Sequence, residues 1–256
     1  MHIPYIGITD FTTLEQVKLM YAVFKTNLKP GQNRRLHVGV MMSYKTLYGL
    51  ETKWTKVFPP KETIADIFSC KETMNCLHYA DSSNNEVSLS LARAISFGGA
   101  GINALQLDMI WPDPDHIARA LQSSPKKLEV ILQIGKNAFE QVNNNPKEVV
   151  KRLSGYQVVI QHVLLDRSMG RGLGMDAVGL IPFAREIKEA FPNLGIVAAG
   201  GLGPASVNLV EPLYRKFPQI SIDAQGKLRP SGSALDPIDW DMAETYLKKS
   251  LQLLKK

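Results

Sequence analysis

The sequence predicts an α/β chain folded as a single (β/α)8 TIM barrel. Three observations lead there. Eight short apolar runs are spaced along 256 residues. Several are apolar on both faces, as parallel strands covered by helices must be. Helical patterns fill most of the gaps, so strands recur roughly every 25–40 residues, the length that a strand, a helix and two loops need. Eight such units are the arithmetic of this barrel. A doubly wound sheet is the rival with similar content. No linker-like stretch divides the chain, so residues 1–256 read as one domain.

In order, the apolar runs are Pro4–Thr9, Leu36–Met42, Cys76–Ala80, Asn103–Met109, Leu128–Ile134, Val158–Leu165, Gly195–Ala199 and Ile220–Ala224. Each is bounded by polar or turn residues. A helix over Leu14–Phe24 follows the first, with Thr12 or Thr13 as N-cap. Val87–Ile95 follows the third run, and Ile117–Leu121 the fourth, opened by Pro112 and Pro114. The polar run NNNPKE breaks residues 137–154 into two helical pieces. Val178–Phe191 follows the sixth run, Val207–Phe217 the seventh, and Met242–Leu254 closes the chain. After the second run comes an extended, aromatic, Lys-rich connection over about residues 43–62. It reads as a lid, a subunit contact or a wall of the ligand site.

Composition narrows the class. Hydrophobic residues are 45% and charged residues 21%, a globular balance that excludes a disordered or fibrous chain. No run approaches the roughly 20 apolar residues of a membrane helix. The N-terminus lacks the pattern of a secretory signal. The two cysteines, Cys70 and Cys76, are too few for a disulfide framework. A cytoplasmic location is expected. The net charge of +6 attracts anions without separating a phosphorylated metabolite from nucleic acid. No aromatic–basic cluster supports nucleic-acid binding. No HxH, HExxH or CxxC spacing occurs, so neither a metal nor another cofactor is expected. His37, His78 and His162 read as packed interior histidines.

In such a barrel, chemistry sits where strands end. Carboxylates stand at several ends: Asp10, Asp81, Asp108 and Asp166. Each has a plain alternative as the cap of the next helix. Asp166 is followed by a Gly-rich loop instead. Gly170, Gly172 and Gly174 there let backbone amides approach an anion, and Arg167 and Arg171 add charge. The seventh strand then ends in Gly200–Gly201 and the eighth in Gln225–Gly226. Loops after these two strands commonly build the phosphate site of the fold. The expected phosphate-binding set is Gly172, Gly174, Gly200, Gly201, Gln225 and Gly226.

These motifs, in this order, resemble phosphoribosylanthranilate isomerase. PYIGIT stands for the family's KICGIT, ALQLDM for VQLHG and VLLDRSMGRGLG for its LLD and Gly-rich loop. GGLGPASV resembles its GGLxPxNV turn, and IDAQG with LDPIDW its VDVSSG and the start of its last helix. The likeness covers most strand ends but not the long second connection. It implies an Amadori-type isomerisation of a phosphorylated aminoaldose, with an aspartate acid after strand six and a cysteine base on strand one. Asp166 matches the acid. Ile6 occupies the cysteine's place, and an alkyl group accepts no proton. Asp108, which replaces a family histidine, and Asp10 are then the candidate bases. Lys45 is the nearest substitute for the family's basic residue near strand two. The expected ligand is a phosphorylated sugar-like metabolite. The competing reading is a barrel that binds such a ligand without turning it over. The oligomeric state stays open.

Overall fold

The computed structural model describes residues 2–83, 85–167 and 174–255. Eight parallel strands close into a barrel in chain order. They are β1 (Tyr5–Thr9), β2 (Arg35–Ser43), β3 (Met74–Ala80), β4 (Ala104–Asp108), β5 (Glu129–Ile134), β6 (His162–Asp166), β7 (Gly195–Ala199) and β8 (Ser221–Ala224). The circle closes where Ile6 of β1 pairs with Ile222 of β8. The doubly wound alternative is therefore excluded.

The helices are α1 (Leu14–Asn27), α2 (Tyr44–Leu47), α3 (Ile64–Ile67), α4 (Val87–Phe97), α5 (Pro114–Leu121), α6 (Lys136–Gln141), α7 (Pro146–Leu153), α8 (Ala177–Ala190), α9 (Glu211–Lys216) and α10 (Trp240–Leu253). Their starts follow local chemistry. Thr13 and Gln16 form a capping box on α1. Asp113 and Asn145 cap α5 and α7, each with proline at the first helical position. None of the described helices is long and apolar enough to cross a membrane.

Two elements depart from expectation. Residues 158–161 are not strand: a 3-10 turn at Ser154–Tyr156 continues into them, and Tyr156 carbonyl accepts from the Val159 and Ile160 amides. The helix expected over Val207–Phe217 is a 3-10 turn at Val207–Val210 followed by α9. Pro212 has no amide hydrogen, so it fits only the first turn of a helix.

Strand residues alternate between two apolar layers. Ile6 and Ile8 point outward into the main core with α1 residues such as Val17 and Met20. Tyr5, Cys76, Ile131, Leu164 and Val197 point inward and fill the barrel's own centre. Polar groups share that inside with them. Glu129, at the start of β5, joins Arg35 and His162 at the N-terminal end of the barrel.

Candidate active site

The alternation decides which predicted residues meet. Inward positions at the strand C-termini line a cavity of about 400 Å3. Asp108, Asp166, Gly200, Gly201, Gln225 and Gly226 all lie on its wall. Gly200 and Gly201 have φ values of 98° and 72°, a left-handed backbone that a side chain would strain. They turn the chain sharply as it leaves β7.

Asp108 is the best-defined acid-base group. Gln106 Nε2 donates to Gln133 Oε1 at 3.0 Å, and Gln133 Nε2 donates to Asp108 Oδ1 at 3.1 Å. Protein atoms enclose Asp108, yet its carboxyl reaches solvent through the cavity. Burial and then the neighbouring Asp166 charge push its pKa up to about 6. That suits a proton acceptor working near neutrality.

A third carboxylate, Asp223 on β8, was not among the expected site residues. It lines the same cavity from below. Thr9 Oγ1 donates to its two oxygens at 3.2 Å each. Burial, opposed by the Thr9 hydrogen bond, raises its pKa to about 7. The signal was present in the sequence: Asp223 is an odd polar residue inside ISIDA, two positions from Ser221 on the same face.

Lys227 was also missed. It borders both this cavity and an adjoining one of about 650 Å3 beside Gly174, Gly201, Ser206 and Gly232. No hydrogen bond or ion pair among the described residues engages its ammonium. From the long second connection, Lys53 and Trp54 reach the cavity. That segment thus supplies part of the cavity wall. Trp54 stacks on Phe58 with ring centroids 5.3 Å apart. Lys45 lines a neighbouring cleft that shares Asp108, Gln133, Lys53 and Trp54 with this cavity.

Three expectations change. Asp10 lies off the cavity wall, 7% exposed. Its carboxylate is held by the Arg229 guanidinium and by Gln225 Nε2 at 3.1 and 3.2 Å. Bound on both oxygens and closed from the ligand space, it is unsuited to act as the base. Asp10 and Asp81 cap no helix either: Thr13 caps α1, and Asp81 accepts from Ser83 in a local turn. Gly174 flanks the adjoining cavity rather than the carboxylates. Gly172 lies outside the described residues. Ile6 faces the helices, so no side chain at that position would enter the cavity.

A second groove, of about 660 Å3, lies at the opposite end beside His2, Arg35, Lys127 and Glu129. It is the larger of the two, but it sits at the strand N-termini, where this fold carries stability rather than chemistry.

No protein-family model matches the chain, and no curated protein matches it in sequence. Solved structures share the fold. An active domain of a thermostable chitinase from Pyrococcus furiosus is 11% identical, with a TM-score of 0.58 over 98% of this chain and 96% of that one. KGPDC from Streptococcus mutans is 8% identical, with a TM-score of 0.53 over both full lengths. Phosphonopyruvate hydrolase is 12% identical, with a TM-score of 0.54 over 86% of this chain and 74% of that one. At such identities the likeness establishes the (β/α)8 barrel alone.

Proposed function

We propose that the chain is an enzyme that binds a phosphorylated, sugar-like metabolite at the C-terminal mouth and isomerises it by proton transfer. The observation that carries this reading is the meeting of Asp108 and Asp166 with Gly200, Gly201, Gly226 and Lys227 around one cavity. Backbone amides of the glycine turns, with the Lys227 ammonium, supply donors and charge for a phosphate dianion. Asp108, poised near pH 6 by its surroundings, takes the proton from carbon. The two carboxyls share one proton in the active form, and Asp166 passes it to the ring oxygen, the acid role that the isomerase resemblance implies. Each positioned acid or base contributes roughly 10²–10⁴-fold.

Among the structural neighbours, phosphonopyruvate hydrolase is named for a phosphorus-bearing substrate, which is in keeping with this reading. The chitinase, solved with chito-oligosaccharides, is a reminder that one barrel serves many substrates. The second reading, a phospholigand binder without turnover, is favoured by one feature. The family's base position is Ile6, turned to the helices.

The test uses a panel of phosphorylated aldoses and aminoaldoses in deuterated water. Proton NMR follows isomerisation and exchange at C2, and calorimetry follows binding. Asp166→Asn should abolish turnover and keep binding, while Lys227→Gln should weaken binding about 10-fold, the value of one charge-assisted contact. Binding without exchange anywhere in the panel would replace the enzyme by the binder. No binding that depends on Lys227 would remove both.

A further inference from the structure

Below the carboxylates lies a cluster that the proton-transfer reading does not use. His37 on β2 and Cys76 and His78 on β3 bring one donor atom each to within 4.8 Å of one another. All three are buried. Topology makes the cluster. Cys76 and His78 are two residues apart, so both point inward from β3. The β2–β3 register pairs His37 with Met74, which sets its inward side chain just beneath theirs.

The polar accounting inside the cluster does not close. Among the described residues, neither ring nitrogen of His37 has a hydrogen-bond partner, nor does Nε2 of His78. Cys76 Sγ makes a long contact of 3.9 Å to its neighbour's carbonyl. Three orphan nitrogens in one buried spot are costly, at about 1–3 kcal/mol for each unsatisfied group. Tyr5 stacks on His37 with centroids 4.6 Å apart and planes 15° from parallel, so the ring is held in place. A Cβ on Gly7 would lie 2.4 Å from Asp223 Oδ1 and 3.0 Å from His37 Nδ1, so the glycine leaves room for both side chains.

We propose that His37, Cys76 and His78 bind one transition-metal cation, zinc(II) foremost, at the floor of the barrel cavity. Two imidazoles and a thiolate are a soft-to-borderline donor set, which disfavours Mg2+ and Ca2+. Tetrahedral zinc at bond lengths of about 2.0–2.3 Å puts its donors roughly 3.3–3.8 Å apart. The present separations need a closure on the order of 1 Å, within reach of small χ rotations. Binding forms a Zn–S bond and releases the thiol proton to solvent. Two imidazoles and a thiolate are three ligands, so a fourth position remains, and His78, on the cavity wall, leaves it a path to the ligand space.

The experiment uses the full chain, unfolded in chelator and refolded with or without one equivalent of Zn2+ or Co2+. Refolding removes any question of access to a buried site. The wild type should retain one metal per chain after desalting. Its cobalt form should show a thiolate-to-metal charge-transfer band. Cys76→Ala should lose the band and at least ~100-fold in affinity, beyond the ~10–100-fold typical of outer-shell changes. His37→Gln should weaken binding, and Cys70→Ala should keep both band and affinity. X-ray absorption on the zinc-loaded wild type reads the ligand set without any variant, with two nitrogens and one sulfur from the protein expected. A wild type that refolds without retaining metal overturns the proposal, as does a band that survives in Cys76→Ala or a ligand shell without sulfur.

Discussion

At residue scale, ionising Asp108 costs more than ionising an aspartate in water, because burial and the Asp166 charge both oppose it. The sign of the pH effect follows. The unfolded carboxyl ionises near 3.8 and the folded one near 6. The native state thus holds its proton over that interval, and stability contributed by this group is greatest below pH 4 and lost as pH rises through 6. Asp108→Asn removes the loss. Its melting temperature should exceed the wild type's at pH 8 and match it near pH 4, by roughly 2–4 °C for each kcal/mol relieved. The same variant should lose about 10²–10⁴-fold in kcat/KM, together with the acid limb near pH 6. Thermal melts and pH–rate profiles check both halves. Stability gained where activity is lost is the signature of a working group rather than a packed one.

At the scale of elements, the segment after β8 is fastened to the end of β1 by one side chain. The Arg229 guanidinium donates to Asp10, to the Gln225 carbonyl at 2.8 Å and to the Asp236 carbonyl. Both side chains of the ion pair are nearly inaccessible, at 1% and 5%. Asp10 itself has φ 87°, a strained backbone that these bonds hold. Arg229→Met leaves a buried carboxylate unpaired and should cost about 3–5 kcal/mol. Adding Asp10→Asn should recover much of that, because the stranded charge is gone. Denaturant unfolding of the two singles and the double reads the coupling; additive single effects would show that the pair does not act as a clamp. This buried pair also accounts for Gln225. Its amide helps hold Asp10, so its place on the cavity wall is set from behind.

On the scale of the whole molecule, the barrel centre is filled from all sides, and glycines on three strands yield room, Gly39 doing so for Thr9. Gly7 leaves space for Asp223 and His37, and Gly195 for the His162 ring. Gly7→Ala should destabilise the fold by about 1–3 kcal/mol through overpacking, measured by chemical unfolding, while an unchanged midpoint would mean the centre holds slack. Much of this architecture was legible in the linear chain. Strand order, the break between α6 and α7, the start of α1 at Thr12 or Thr13, the proline opening of α5 and the placing of Asp108 and Asp166 at strand ends all follow from period, turn chemistry and the geometry of the fold. Those are local rules, carried by residues a few positions apart. What the chain alone left open depends on pairs far apart in sequence. Asp10 looked like a candidate base until Arg229, 219 positions later, closed over it. Ile6 looked like a lost base until the strand turned it toward α1. His37 and His78 looked like separate packing residues, and no ligand spacing linked them to Cys76, until β2 and β3 came side by side. The physical reason is common to all three: periodicity tells which residues share a face, but only closure of the barrel fixes which way that face points and what stands across from it.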